Sequence, residues 1–291
     1  MKVSLECVEC LLMRGVAGIK RATDNNEVRF RAVSKLLELL AREFSPEAVP
    51  ARLGTLRERL IKEITGNPDP YFSDKKRSNA LGKRLAGQVE EVVRQEDSVE
   101  KRFALACRAA VLGNLIEFDI PGHDFSLEKL EHMLRNTKLS IDNSERILRA
   151  IRPGAKVLYV TDNAGEIAFD KILVGVLEEL GAKVAVAVRG GPVLNDATLE
   201  DALEVGMNEV ATEVITTGCD AVGVDFELVS KEFLDKYLGS DLIVAKGMGN
   251  YETLSEERMG KPVAYLLVAK CGPVARHIGV ERGSAVVKLV K

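Results

Sequence analysis

Five short Val-rich runs, at 156–160, 183–188, 213–216, 241–245 and 263–268, alternate with stretches of helical periodicity after Arg152-Pro153-Gly154. Apolar runs this short, separated by helix-length segments, suit strands that are buried on both faces and joined by crossover helices. The pattern predicts an α/β fold with a mainly parallel sheet covered by helices. It also says where a ligand should sit, because open sheets of this kind bind at the carboxyl ends of their strands.

Ahead of the sheet the periodicity changes. Residues 27–43, 53–65, 78–95 and 101–117 repeat apolar side chains at helical spacing. Residues 1–150 are therefore read as a mainly helical region and 151–291 as the α/β domain that carries the site. Within the helical region Gly66-Asn67-Pro68-Asp69-Pro70 must be a loop, since proline has no N–H to donate and disfavours helix in the residue before it. Phe118 to Asp124 is read as a second break.

Composition narrows the function classes. Lys and Arg total 41 against 44 Asp and Glu, a net charge of −3, and both signs are spread along the chain. Nothing resembles the basic face of a nucleic-acid or membrane-surface protein, so the expected partner is a small diffusible ligand. No apolar run approaches the roughly 18 residues of a membrane span and no secretory h-region opens the chain, which predicts a cytoplasmic protein. Five cysteines do not suggest a disulfide framework.

The residues that carry chemistry gather at the predicted strand ends. The first strand runs into Thr161-Asp162-Asn163-Ala164-Gly165-Glu166, and the second leads through Arg189-Gly190-Gly191 to Asn195-Asp196. Asp162, Asn163 and Asp196 would supply two carboxylates and an amide oxygen, a donor set that suits Mg²⁺ or Mn²⁺ and not a closed zinc site. The competing reading makes the same residues helix caps and turn formers, and one pair at a time the sequence favours neither. Two later strand ends carry lysines, in Lys246-Gly247-Met248-Gly249-Asn250-Tyr251 and Lys270-Cys271-Gly272. A divalent cation beside two lysines and accessible backbone N–H groups is what phosphoryl transfer requires, because that chemistry is largely positioning and charge neutralisation. For either lysine alone, a solvated side chain after a strand is the plainer reading. Arg189-Gly190-Gly191 reads equally as an anion site or a tight turn.

Other polar groups are less telling. Asn114 and Glu117 share one helix face, and Asp69, Tyr71, Lys75 and Asn79 form a second cluster; each reads alone as capping and solvation. Cys7-Val8-Glu9-Cys10 is half of a metal site, a redox pair, or two small apolar residues. The sheet half contains neither a P-loop nor a dinucleotide fingerprint.

In chain order, C-V-E-C at 7–10, G-N-P-D-P-Y at 66–71 with Lys75 to Asn79, G-N-L-I-E-F-D at 113–119, T-D-N-A-G-E at 161–166, R-G-G-P-V-L-N-D-A-T at 189–198, K-G-M-G-N-Y-E at 246–252 and K-C-G-P-V-A at 270–275 resemble one family. It is the family long called domain of unknown function 89, described as metal-dependent damage-control phosphatases. The chain most resembles its short archaeal and bacterial branch with an N-terminal C-x-x-C. The resemblance implies an N-terminal helical bundle packed on a three-layer α/β/α domain, and hydrolysis of small phosphate esters, including damaged or surplus metabolites. It implies a divalent cation such as Mn²⁺, Co²⁺, Ni²⁺ or Mg²⁺ held by Asp162, Asn163 and Asp196. Substrate contacts are implied near Glu166, on the Lys246 to Tyr251 loop and on Lys270. Two features depart from the sugar-phosphate-hydrolysing branch: Met248 stands where that branch has an acidic residue, and Leu267-Val268-Ala269 precedes Lys270 in place of its arginine-threonine-x-lysine signature.

The resulting expectation is a metal-dependent phosphomonoesterase acting on a small phosphorylated metabolite. Asp162, Asn163 and Asp196 hold the cation. Lys246, Lys270 and backbone N–H groups of Gly247, Gly249 and Asn250 neutralise phosphate oxygens, Asn114 orients the ester, and Glu166 or Asp196 takes a proton from water. Two rivals stand beside it. A methyltransferase using S-adenosylmethionine would want a glycine-rich loop where the chain has Asp162-Asn163-Ala164-Gly165. The other is a non-catalytic metal or redox module built on Cys7 and Cys10.

Overall fold

The computed structural model describes residues 1–116, 127–257 and 259–291. The strands are β1 (Leu139–Asp142), β2 (Lys156–Val160), β3 (Lys183–Val188), β4 (Glu213–Thr216), β5 (Leu242–Lys246), β6 (Val263–Val268) and β7 (Ala285–Val290). They form one sheet in the order β1-β7-β6-β5-β2-β3-β4. β2 to β6 are mutually parallel; β7 runs antiparallel to β6, and β1 pairs parallel with β7. All five runs expected from the sequence are strands, the one at 241–245 displaced by a single residue. β1 and β7 are additions to that reading. They find each other across a long stretch of chain, Leu139 opposite Ala285, which local periodicity does not register.

The period of two along each strand divides the sheet's side chains between two cores. Val157, Tyr159, Val186 and Val244 face one core, together with residues of α4 (Phe72–Arg94), α5 (Val99–Leu115) and α8 (Ile167–Glu179). Leu158, Val160, Ile243 and Ala245 face the other, with α10 (Lys231–Gly239), α11 (Gly247–Leu254) and α12 (Gly272–Ile278). With helices on both faces the architecture is the expected α/β fold. Three further helices, α1 (Glu6–Ala22), α2 (Asn26–Glu43) and α3 (Pro50–Thr65), surround a smaller core of their own that includes Leu11, Ile19, Leu36 and Ile61. Local signals bound these helices. The Asn25 side chain caps α2 by accepting from Glu27 N at 2.9 Å, Pro50 opens α3, and left-handed Gly66 closes it before the proline loop. Among the described residues no helix is long and apolar enough to cross a membrane.

β2 lies between β3 and β5, so the chain runs outward to β3 and β4 on one side and returns to β5 and β6 on the other. This reversal of strand order makes a crevice at the carboxyl ends of β2 and β5. α4 presses onto that edge. Gly165 has φ +78°, and a Cβ there would lie 2.7 Å from the Ser78 carbonyl oxygen. Its N–H donates to Asn79 Oδ1 at 2.8 Å. Gly165→Ala is expected to destabilise the protein by about 2–4 kcal/mol, from left-handed backbone strain plus overpacking. Urea unfolding checks this, and an unchanged midpoint would contradict the close approach of α4.

Candidate active site

Leaving the buried β2, the chain surfaces with Asp162 and Asn163 and turns at Glu166 into α8. The segment after β3 folds back over this turn. Ala164 N donates to Asn195 O and Ala197 N to Asp162 O, both at 2.8 Å, and Asn163 and Asp196 pair as an antiparallel bridge. Two strand ends thus bring Asp162, Asn163 and Asp196 side by side. They open on a pocket of about 440 Å³ that is also lined by Arg14, Tyr71, Asn114, Glu166, Asn195, Met248, Gly249 and Lys270.

Beneath the pocket runs a dense polar cluster. Asn114 Nδ2 donates to Glu166 Oε2 at 2.8 Å and to Asp162 Oδ2 at 3.3 Å, while its Oδ1 accepts from Val268 N at 3.0 Å. Asn163 Nδ2 donates to Asp162 Oδ2 at 2.9 Å and to Glu166 Oε2 at 3.1 Å. Lys246 Nζ donates to Glu166 Oε1 and Asp170 Oδ1, each at 2.6 Å, and to Ala110 O at 2.9 Å. Tyr159 adds its hydroxyl to Asp170 Oδ1 at 2.8 Å. On the other side Arg189 donates to Asp196 Oδ2 at 2.7 Å, to Gly223 O at 2.6 Å and to Asn250 Oδ1 at 3.0 Å.

Burial and the neighbouring Glu166 and Asp196 carboxylates push the Asp162 carboxyl well above its ordinary range, against the pull of Arg189 and Lys246. Asp196 is also raised by burial, with Arg189 opposing. Burial lifts Asp170 to about 6 although Lys246 holds it down. For Lys246 burial alone would lower the ammonium, and Asp170 with Glu166 outweighs it, so the net shift is upward. The lysine remains charged.

Several expected contacts are corrected by this geometry. Lys246 is fully buried, directs its three N–H bonds into the protein and does not line the pocket, so it is not a phosphate ligand. Asn250 is equally buried and bonds Thr161 O, Lys246 O and Arg189. Gly247 serves a steric need. Its φ is +73°, and a Cβ there would fall 1.9 Å from Asp162 Oδ2. The segment after Lys246 is not a loop but the first turn of α11, with Gly249 at the pocket wall. Arg189 is an internal brace and not an anion site. Lys75 and Asn79 dock α4: Lys75 pairs with Asp69 at 2.9 Å, and Asn79 Nδ2 donates to Asp201 Oδ1 at 2.8 Å. Glu117 lies outside the described residues.

Lys270, Asn114 and Glu166 do line the pocket, as do the three expected metal ligands. Arg14 and Tyr71 complete it, and the sequence reading gave Arg14 no role. It projects from α1, far from any strand end, and its only signal is its place one helical turn before the pocket-lining Ala17. Cys7 is buried and Cys10 exposed; both are free thiols. Cys7 Sγ accepts from Ser4 N at 3.4 Å. Cys271, just before α12, is near enough to Cys7 and Cys10 for their charges to raise its thiol, after the larger effect of burial.

Comparison with known proteins gives the chain's family. Residues 3–286 match the model of the damage-control phosphatase ARMT1-like domain. A damage-control phosphatase of Pyrococcus horikoshii is 36% identical over 98% of this chain and 97% of its own length. One from Archaeoglobus fulgidus is 37% identical over the whole of both chains. An uncharacterized protein of Methanocaldococcus jannaschii is 38% identical over 98% of this chain and 95% of its own. The crystal structure of a DUF89 family protein from Pyrococcus horikoshii superposes with a TM-score of 0.89 at 36% identity, covering all of both chains. Matched along nearly its whole length in sequence and in fold, the chain belongs to the damage-control phosphatase ARMT1-like family, also called DUF89.

Proposed function

We propose that the chain hydrolyses small phosphate monoesters at a divalent-cation site formed by Asp162, Asn163 and Asp196. A charge imbalance carries this reading. Four carboxylates, Asp162, Glu166, Asp170 and Asp196, share the cluster with two cations, Lys246 and Arg189. The excess of two negative charges is what one divalent cation balances. Two carboxylates and an amide are hard oxygen donors of the kind Mg²⁺ and Mn²⁺ take, with Co²⁺ and Ni²⁺ as competitors. Bound there, the cation would polarise a phosphoryl oxygen and acidify water.

The remaining roles fall to groups that face the pocket. Lys270 and Arg14 line it, and neither side chain has a hydrogen-bond or ion-pair partner among the described residues. They offer phosphate oxygens the positive charge that Lys246 withholds. The first turn of α11, at Met248 and Gly249, adds the partial positive charge of a helix start. Of the two candidates for accepting a proton from water, Glu166 has both oxygens engaged, whereas Asp196 has only Oδ2 bonded among the described residues. That remaining Oδ1 is the atom Asp196 would give the cation, so hydrogen bonding favours neither carboxylate as the base. The relatives' name supports a damaged or surplus metabolite as the ester.

The test is phosphate release from a panel of esters by metal-stripped protein, with Mn²⁺, Co²⁺, Ni²⁺ or Mg²⁺ restored singly and Asp196→Ala in parallel. Metal-dependent turnover that the variant loses is expected; no release with any metal, from folded and metal-loaded protein, would overturn the reading. Arg14→Met is expected to raise KM about tenfold or more with a smaller change in kcat, the loss of one charge-assisted bond to the phosphate. An unchanged KM in steady-state kinetics would remove Arg14 from the substrate.

A further inference from the structure

An asparagine can ligate a cation only through its oxygen, so the site depends on which way the Asn163 amide is turned. We propose that Lys246 is a positioning residue which, acting through Glu166, holds the Asn163 amide oxygen toward the cation; the inference rests on the cation site proposed above.

The hydrogen bonds define the device. Asn163 Nδ2 sits between Asp162 Oδ2 at 2.9 Å and Glu166 Oε2 at 3.1 Å, which leaves Oδ1 on the opposite side of the planar amide. Asn114 Nδ2 points at the same Glu166 oxygen from 2.8 Å and cannot reverse, because its Oδ1 is anchored on Val268 N at 3.0 Å. Glu166 Oε2 therefore has to be an acceptor twice over. At the other end Lys246, an ammonium with donors only, meets Oε1 at 2.6 Å. A carboxylate satisfies both ends because each of its oxygens accepts. A glutamine would not: its oxygen would go to Lys246 and its NH₂ would face two amide nitrogens. The anchored Asn114 would have to tolerate that contact, and Asn163 would turn its oxygen inward, presenting N–H groups to the cation. Lys246 thus reads the identity of residue 166 and transmits it to a metal ligand it does not touch.

Mn²⁺ binding to metal-stripped protein, followed by electron paramagnetic resonance of the free ion, tests this without turnover. Glu166→Gln is expected to weaken binding about 10- to 100-fold, the range for partners that orient metal ligands. Asp170→Asn removes the same unit charge from the other acceptor of Lys246 without touching Asn163, and is expected to weaken binding clearly less than Glu166→Gln does. Adding Lys246→Met to Glu166→Gln should restore most of the affinity, since glutamine is then free to turn its oxygen to the amides. Equal losses in Glu166→Gln and Asp170→Asn, or a folded double variant with no recovery, would overturn the positioning role. If the double variant does not fold, the comparison of the two single variants decides. Wild-type protein that binds no divalent cation would instead overturn the cation site itself, and this inference with it.

Discussion

Asp162→Asn is expected to lose metal-dependent phosphatase turnover by about a hundredfold or more, because a divalent cation held by few protein ligands depends on each carboxylate charge. The same substitution should leave the fold intact. Asp162 Oδ2 accepts from Asn114 and Asn163, and an asparagine oxygen can accept the same two bonds. A neutral amide at 162 also escapes the burial cost and the repulsion by Glu166 and Asp196 that lift the Asp162 carboxyl. Metal-free Asp162→Asn should therefore melt at or above the wild-type temperature. Mn²⁺ should raise the wild-type melting temperature, as any ligand selective for the native state does, and should leave the variant's unmoved. Thermal unfolding with and without Mn²⁺, beside phosphate release, checks both halves. A variant that still turns over and is still stabilised by Mn²⁺ would remove Asp162 from the metal site.

Lys246→Met is expected to cost about 3–5 kcal/mol of stability at neutral pH, the usual consequence of deleting one partner of a buried ion pair. Both Glu166 and Asp170 would be left without their cation in a buried setting. The deficit should depend on pH with a definite sign. Asp170 already sits at about 6 in the folded protein, against an ordinary 3.8, with Lys246 opposing the shift. Without the ammonium it rises further. Between the ordinary and the raised value the folded state binds more protons than the unfolded chain, so stability falls as pH rises through that window and is regained as pH falls. The variant's deficit should thus be largest at neutral to alkaline pH and shrink as the medium is acidified toward about 6, below which Asp170 takes up its proton in both folded proteins alike. Urea unfolding of both proteins across that range is the measurement; a deficit that stays constant with pH would show that Lys246 is not there to neutralise carboxylates.

What the sequence determined by itself is whatever follows from local order. Five parallel strands were legible because strands buried on both faces must be apolar throughout. The end of such a strand in an α/β sheet is a ligand edge whatever the rest of the chain does. Asp162, Asn163, Asp196 and Lys270 could be placed there for that reason, and Gly66 with its two prolines marked a loop that is present. The tertiary structure alone decided which of the polar residues at that edge face a ligand and which face one another. Lys246 ends a strand as Lys270 does, yet Glu166 at the start of α8 and Asp170 one turn on come from 80 and 76 residues away to bury it. Arg189 is taken up in the same way by Asn250, 61 residues on. Arg14 reaches the pocket from a helix that carries no mark of it. The physical reason is common to all three. A charged side chain enters solvent or substrate only if no opposite charge meets it first, and the meeting partner is set by how helices pack on the sheet, not by any neighbour in sequence.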